Sequence, residues 1–245
     1  MARELYDTIG VTYTRFRGED PRIAARIHAA LGDARTVVNV GAGAGAYEPR
    51  DRDVLAVEPS EVMLAQRQSG AARAVRATAE ALPLADGAVD AAMSVLSDHH
   101  WPDRVKGLQE MRRVARRRAV VFQFEPAEFD HSWLVRDYLR GFTPDPFGVA
   151  EIAEHLGATR VEPVPIPHDC RDGFLHAYWR RPEAYLDPAV REAISVFQLL
   201  PPEEVTAAIE RLRADLESGE WHRRNEDILD LDDLDLGYRL IVAEY

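Results

Sequence analysis

One cysteine, one lysine and no long apolar run are present among 245 residues, and each scarcity removes a class of protein. Cys170 alone closes no intramolecular disulfide, so the fold does not rest on an oxidised framework. No stretch approaches the roughly 18 uninterrupted apolar residues that span a bilayer. The opening MARELYDTIG lacks the basic and then apolar run of a secretory leader. A cytoplasmic protein without membrane insertion is the expectation. Positive charge is also short: 30 Lys+Arg stand against 42 Asp+Glu, a net charge of −12 that repels nucleic acid phosphates and anionic lipid. The expected partner is therefore a small molecule, not nucleic acid or membrane, and nothing in the composition speaks to oligomeric state. With 46% apolar residues, disorder is excluded as the main state, and the length suits one α/β domain with an insertion or two small domains.

The chain alternates short buried runs with amphipathic ones. Ile23, Ile27, Ala30 and Leu31 recur at helical spacing after Pro21, and TVVNV (36–40) then reads as a buried strand that ends at GAGAG. VLAVE (54–58) is a second strand, followed by a helix that Ser60 can cap and Gly70 stops. RAVRA (73–77), VDAAMSV (89–95) and RAVVFQF (118–124) continue the rhythm, with helices at 103–116 and 148–156. Such βαβ alternation implies parallel strands with helices on both faces. Helices at 188–199 and 203–217 interrupt it before GYRLIVAEY returns as a last strand. The division expected is a helical N-terminal segment (1–35), a core from 36–169 and 236–245, and a helical cap at 170–235.

Gly41, Gly43 and Gly45 end the first strand with no side chains in the way, so a ligand can pack against bare peptide planes. Gly41, Gly43 and Ala46 also satisfy the G-x-G-x-x-G/A template of nicotinamide dinucleotide sites. Glu58 ends the second strand, where a carboxylate can take both hydroxyls of a ribose. Both ligand readings stay open on these residues. The blocks VVNVGAGAG, VLAVEPSEVML, AEALPLADGAVDAAMSV and EMRRVARRRAVVF, in that order over 36–124, resemble the class I S-adenosylmethionine-dependent methyltransferases of the small-molecule, type 11-like branch. The resemblance implies a doubly wound, mostly parallel seven-stranded Rossmann-like sheet with a helical cap, and S-adenosyl-L-methionine as cofactor. It implies further that Gly41, Gly43 and Gly45 line the methionine moiety, Glu58 beside Pro59 holds the ribose, Met63 packs on adenine, and Thr78, Ala79 and Glu80 meet its amino group. Asn39 and Thr78 stand where the family commonly has acids.

Residues after strand 89–95 face the transferred group in such a sheet, which points to Ser94 through Trp101. His99 or His100 is the candidate base, with Asp98 to orient it; neighbours on extended backbone point apart, so one of the pair is expected to face the cleft, and His99 is preferred. A purely structural pair under Trp101 is the alternative. Tyr13 and Arg17 match a Y-x-x-x-R-like segment that similar enzymes place over the cofactor; a surface helix is its alternative. Phe174, Tyr178, Trp179, Phe197 and Trp221 are either an aromatic substrate pocket or core. His168, Cys170 and His176 lack a fourth metal ligand, so no metal is expected. The function expected is methyl transfer to a small organic acceptor, aromatic or natural-product-like metabolites among the candidates. The rivals are a nicotinamide-dependent oxidoreductase, which the single Lys106 deprives of a Tyr-x-x-x-Lys pair, and a cofactor-retaining protein that no longer transfers methyl.

Overall fold

The computed structural model describes residues 16–245. Seven strands form one sheet in the order β3-β2-β1-β4-β5-β9-β6. Strands β1 (Thr36–Val40), β2 (Asp53–Val57), β3 (Arg73–Val75), β4 (Val89–Val95) and β5 (Ala115–Phe124) run parallel. β9 (Tyr238–Glu244) is antiparallel to both its neighbours, β5 and β6 (Arg160–Pro163). The doubly wound, mostly parallel architecture expected from the sequence is thus present. Strand β1 covers the TVVNV run from end to end and β4 covers VDAAMSV, because buried parallel strands read as continuous β-branched and small apolar residues.

Successive strand residues feed opposite faces of the sheet. Val37, Val120 and Leu240 join Ile23 and Ile27 of helix α1 (Pro21–Ala30), whereas Val38, Val121 and Ile241 pack with Leu108 and Met111 of α3 (Arg104–Val114) and Ile152 of α4 (Val149–Leu156). Asp20 caps α1 ahead of Pro21, and Ser60 caps α2 (Glu61–Ala65) by accepting from Met63 N–H at 3.3 Å. Helix α2 ends at Ala65, five residues before Gly70. Arg67 turns inward there, to the carbonyls of Gly43 and Ala72, instead of continuing the helix. A two-stranded pair, β7 (Ile166–Pro167) with β8 (Asp233–Leu234), brackets the helical segment between them.

That segment contains α5 (Pro188–Glu192), α6 (Ser195–Leu199), α7 (Pro202–Glu217) and α8 (Glu220–Arg224). The single helix expected over 188–199 is two short ones that meet at Ala193-Ile194. A third apolar cluster joins Leu175, Tyr185, Phe197, Leu212 and Trp221 to Phe129, Trp133 and Tyr138, so the stretch after β5 packs into the same layer. Among the described residues no helix is long and apolar enough to cross a membrane.

Candidate active site

The chain leaves β1 through a loop in which Gly41, Gly43 and Gly45 have φ of 70°, 51° and 96°. Gly41 N–H and Ala42 N–H donate to Val57 O at 2.9 and 3.1 Å, which ties the loop to the end of β2. A Cβ on Gly41 would lie 1.7 Å from Ser97 Oγ, and one on Gly43 would lie 3.2 Å from the Met63 methyl. Glycine here serves both the left-handed backbone and the close approach. Glu58, 7% exposed, accepts from Gly43 N–H and Ser60 N–H at 2.9 Å each, so its carboxylate is aimed by main chain. Together with Asn39, Pro59, Met63, Thr78, Ala79 and Glu80 these residues line a cleft of about 780 Å³. It lies outside the carboxyl ends of β1, β2 and β4, where open α/β sheets bind their ligands.

Two residues under this loop escaped the sequence reading. Arg67 Nη2 meets Glu48 at 2.7 and 2.8 Å with both side chains 7% exposed, and Arg67 Nη1 also donates to Gly43 O. Glu48 accepts from Asn39 Nδ2 at 3.3 Å as well. A carboxylate therefore stands beside Asn39 after all, supplied from nine residues further on. Tyr47, with φ of 63°, is the strained residue that turns the chain toward it.

The end of β4 departs from expectation in three respects. Ser94 is fully buried, its hydroxyl has no partner among the described residues, and it does not reach the cleft. Asp98, fully buried, does not orient a histidine. It pairs with Arg104 Nη2 at 2.6 Å and accepts from Gln123 Nε2, because the guanidinium of the residue that opens α3 satisfies a buried carboxylate better than a neutral ring. Finally, residues 98–100 form a 3₁₀ turn, not extended chain, so the two histidine rings lie side by side, centroids 3.8 Å apart and tilted by 49°. His100 lines the cleft, and both histidines line a second, smaller chamber. Burial first, then the cations Arg104 and Arg17, push His99 down to about 3. Burial and the neighbouring ring push His100 well below its ordinary value.

The chamber, about 180 Å³, adjoins the cleft and shares Arg17, Leu96 and His100 with it. Phe124, Phe129, Phe142, Phe174 and Tyr238 form its aromatic wall, and Leu199, 61% exposed, stands among its outer residues. Leu96 takes a φ of 48°, which places a non-glycine residue in strained backbone between the two cavities. Arg17 Nε donates to Asp172 at 2.6 Å, and Tyr47 OH donates to the other oxygen of Asp172 at 3.0 Å. Arg17 is thereby fastened beside the cleft; Tyr13 lies outside the described residues. Of the five cap aromatics, Phe174 alone faces the chamber. Trp179 and Trp221 are 1% exposed and belong to core clusters with Phe197, while Tyr178 packs beside them. His168 is half-buried and His176 buried, and among the described residues no three His, Cys, Asp or Glu side chains converge as a metal site.

Residues 38–122 match the family model of the methyltransferase domain. A crystal structure from Anabaena variabilis, described as a methyltransferase of an antibiotic biosynthesis pathway, shares 35% identity over 93% of this chain and 98% of its own, with a TM-score of 0.83. An uncharacterized methyltransferase of Mycobacterium sp. (strain JLS) is 33% identical over 127 residues, 42% of this chain; the chain spans 49% of that curated relative's length. At 13% identity and a TM-score of 0.58, a phosphoethanolamine N-methyltransferase 2 of Haemonchus contortus, solved with S-adenosylhomocysteine, shares the fold over 100% of this chain and 60% of its own. Sheet order, glycine loop and these matches agree: the chain belongs to the class I S-adenosylmethionine-dependent methyltransferase family.

Proposed function

We propose that the protein methylates a small, largely apolar organic molecule, aromatic or natural-product-like, seated in the Phe-lined chamber. The observation that carries this reading is the pair of adjoining cavities: a large cleft over the glycine loop and a small aromatic one, with Leu96, His100 and Arg17 as their common wall. The cleft's residues suit S-adenosylmethionine. Its glycines leave a cradle that a Cβ would fill, and Glu58 is aimed by two backbone N–H groups. Gly41, Gly43 and Gly45 would hold the methionine portion, Glu58 the ribose, and Met63 with Thr78, Ala79 and Glu80 the adenine. Bound there, the cofactor supplies an electrophilic methyl on a sulfonium whose leaving group departs neutral.

The protein's own contribution is positioning. The Tyr47–Asp172–Arg17 chain closes one side of the cleft, and the aromatic wall gives the chamber a largely apolar surface. Titration calorimetry with S-adenosylmethionine, S-adenosylhomocysteine and NAD tests the cleft; incubation with methyl-labelled cofactor and extracts of the producing organism tests transfer. Preference for NAD would overturn the reading, and tight cofactor binding without a labelled product would favour a protein that binds but does not transfer.

A further inference from the structure

The amide of Gln123 fixes the protonation of His99. Gln123 Oε1 accepts from Phe124 N–H at 2.9 Å, which assigns the other terminal atom as the NH₂. That NH₂ has two neighbours, the Asp98 carboxylate and His99 Nδ1, the latter at 2.9 Å. Asp98, ion-paired with Arg104, has only acceptor capacity, so it takes one N–H. The second N–H points at Nδ1, which must then carry a lone pair. A neutral imidazole has a single N–H, and here it sits on Nε2. Nε2 has no partner among the described residues, and the ring is part of the chamber wall.

We infer that Gln123 holds His99 as the Nε2–H tautomer, so that His99 presents a hydrogen-bond donor to the acceptor molecule and is not its base. It follows that the chamber selects small aromatic molecules that carry an accepting oxygen or nitrogen, such as a carbonyl, a phenolate or a ring nitrogen. The charges around the ring keep this state at neutral pH. Arg104 and Arg17 oppose a positive His99, the His100 ring lies tilted against it at 3.8 Å, and the adjacent Asp98 carboxylate is already committed. Tyr238 and Asp145 complete the titratable groups of the chamber. With Nδ1 occupied and Nε2 protonated, the ring has no lone pair open to the chamber, so the molecule to be methylated must arrive with its own.

The selection by accepting groups rests on the chamber's role as the acceptor site, whereas the tautomer does not. A long-range ¹H–¹⁵N spectrum of the uniformly labelled protein with S-adenosylhomocysteine at pH 7, with His99 assigned through His99→Gln, reads the tautomer directly. A pyridine-type Nδ1 and a pyrrole-type Nε2 are expected; the reverse, or an imidazolium, overturns the inference. In Gln123→Glu the new carboxylate accepts instead of donating, so the pattern should invert to Nδ1–H. Should that buried acid prevent folding, Gln123→Leu should yield a mixture of the two tautomers, and an unchanged Nε2–H signal in either variant removes Gln123 from its role. Acetophenone and α-methylstyrene, alike in shape but with and without an accepting oxygen, test selection. Acetophenone should bind about tenfold more tightly and shift the His99 Nε2 resonance. Equal affinity overturns selection by His99, and exclusion of both probes overturns the chamber as the acceptor site while leaving the tautomer result intact.

Discussion

His176 is 1% exposed, lies edge-on to Phe129 and Tyr238, and has a hydrogen-bond partner on neither ring nitrogen among the described residues. Burial alone pushes its pKa from the ordinary 6.5 down to about 3. A group lowered in this way binds fewer protons folded than unfolded between those two values, so stability rises with pH across that window and is lost on acidification. From pH 8 to pH 5 the loss is RT ln(1 + 10^1.5), about 2 kcal/mol, and it is set by the unfolded pKa and the chosen pH as long as the folded value lies well below 5. His176→Phe removes this linkage. At pH 8 its net effect is small, since relief of unmade hydrogen bonds, about 1 to 3 kcal/mol, opposes an overpacking cost of similar size. The stability difference between variant and wild type, from urea unfolding at pH 5, 6, 7 and 8, should shift by about 2 kcal/mol in the variant's favour on acidification. Carboxylates, His99 and His100 titrate in both proteins and cancel. A difference that stays constant with pH would refute the buried neutral imidazole.

The elements that were legible in the sequence are those whose cause is local. TVVNV and VDAAMSV are buried on both faces, so every residue in them obeys one rule, and the loop glycines and Glu58 sit at strand ends that those runs define. What was not legible arises where distant residues meet. Glu48 and Arg67 join across 19 positions, Gln123 and His99 across 24, and the chamber collects Phe124, Phe142, Phe174, Val196 and Tyr238 from five separate segments. Adjacency misled in one place. Asp98 precedes His99 in the chain, but a 3₁₀ turn carries its carboxylate away to Arg104, which no spacing rule for extended chain anticipates. Positive φ at Tyr47 and Leu96 marks both corners of the site, yet backbone strain has no signature in residue type.

Glu58→Ala should weaken S-adenosylhomocysteine binding by about 1 to 3 kcal/mol in calorimetry, the scale of hydrogen bonds to a charged group; unchanged affinity would remove its ribose role. Gly41→Ala puts a methyl against Ser97 at a φ of 70° and should abolish cofactor binding with far-UV circular dichroism retained; unchanged affinity would remove the close approach from the loop's role. The Asp98–Arg104 pair should respond asymmetrically. Arg104→Leu leaves a fully buried carboxylate with only a neutral amide for company, a cost of about 3 to 5 kcal/mol. Asp98→Asn costs less, because Arg104 keeps Phe147 O at 2.8 Å and the Phe147 ring at 4.2 Å. The double variant removes both the charge and the need to compensate it, so in chemical denaturation it should be more stable than Arg104→Leu alone. Additive losses would mean that Asp98 is solvated rather than held by its guanidinium, and the anchored 3₁₀ turn that carries both histidines would lose its physical basis.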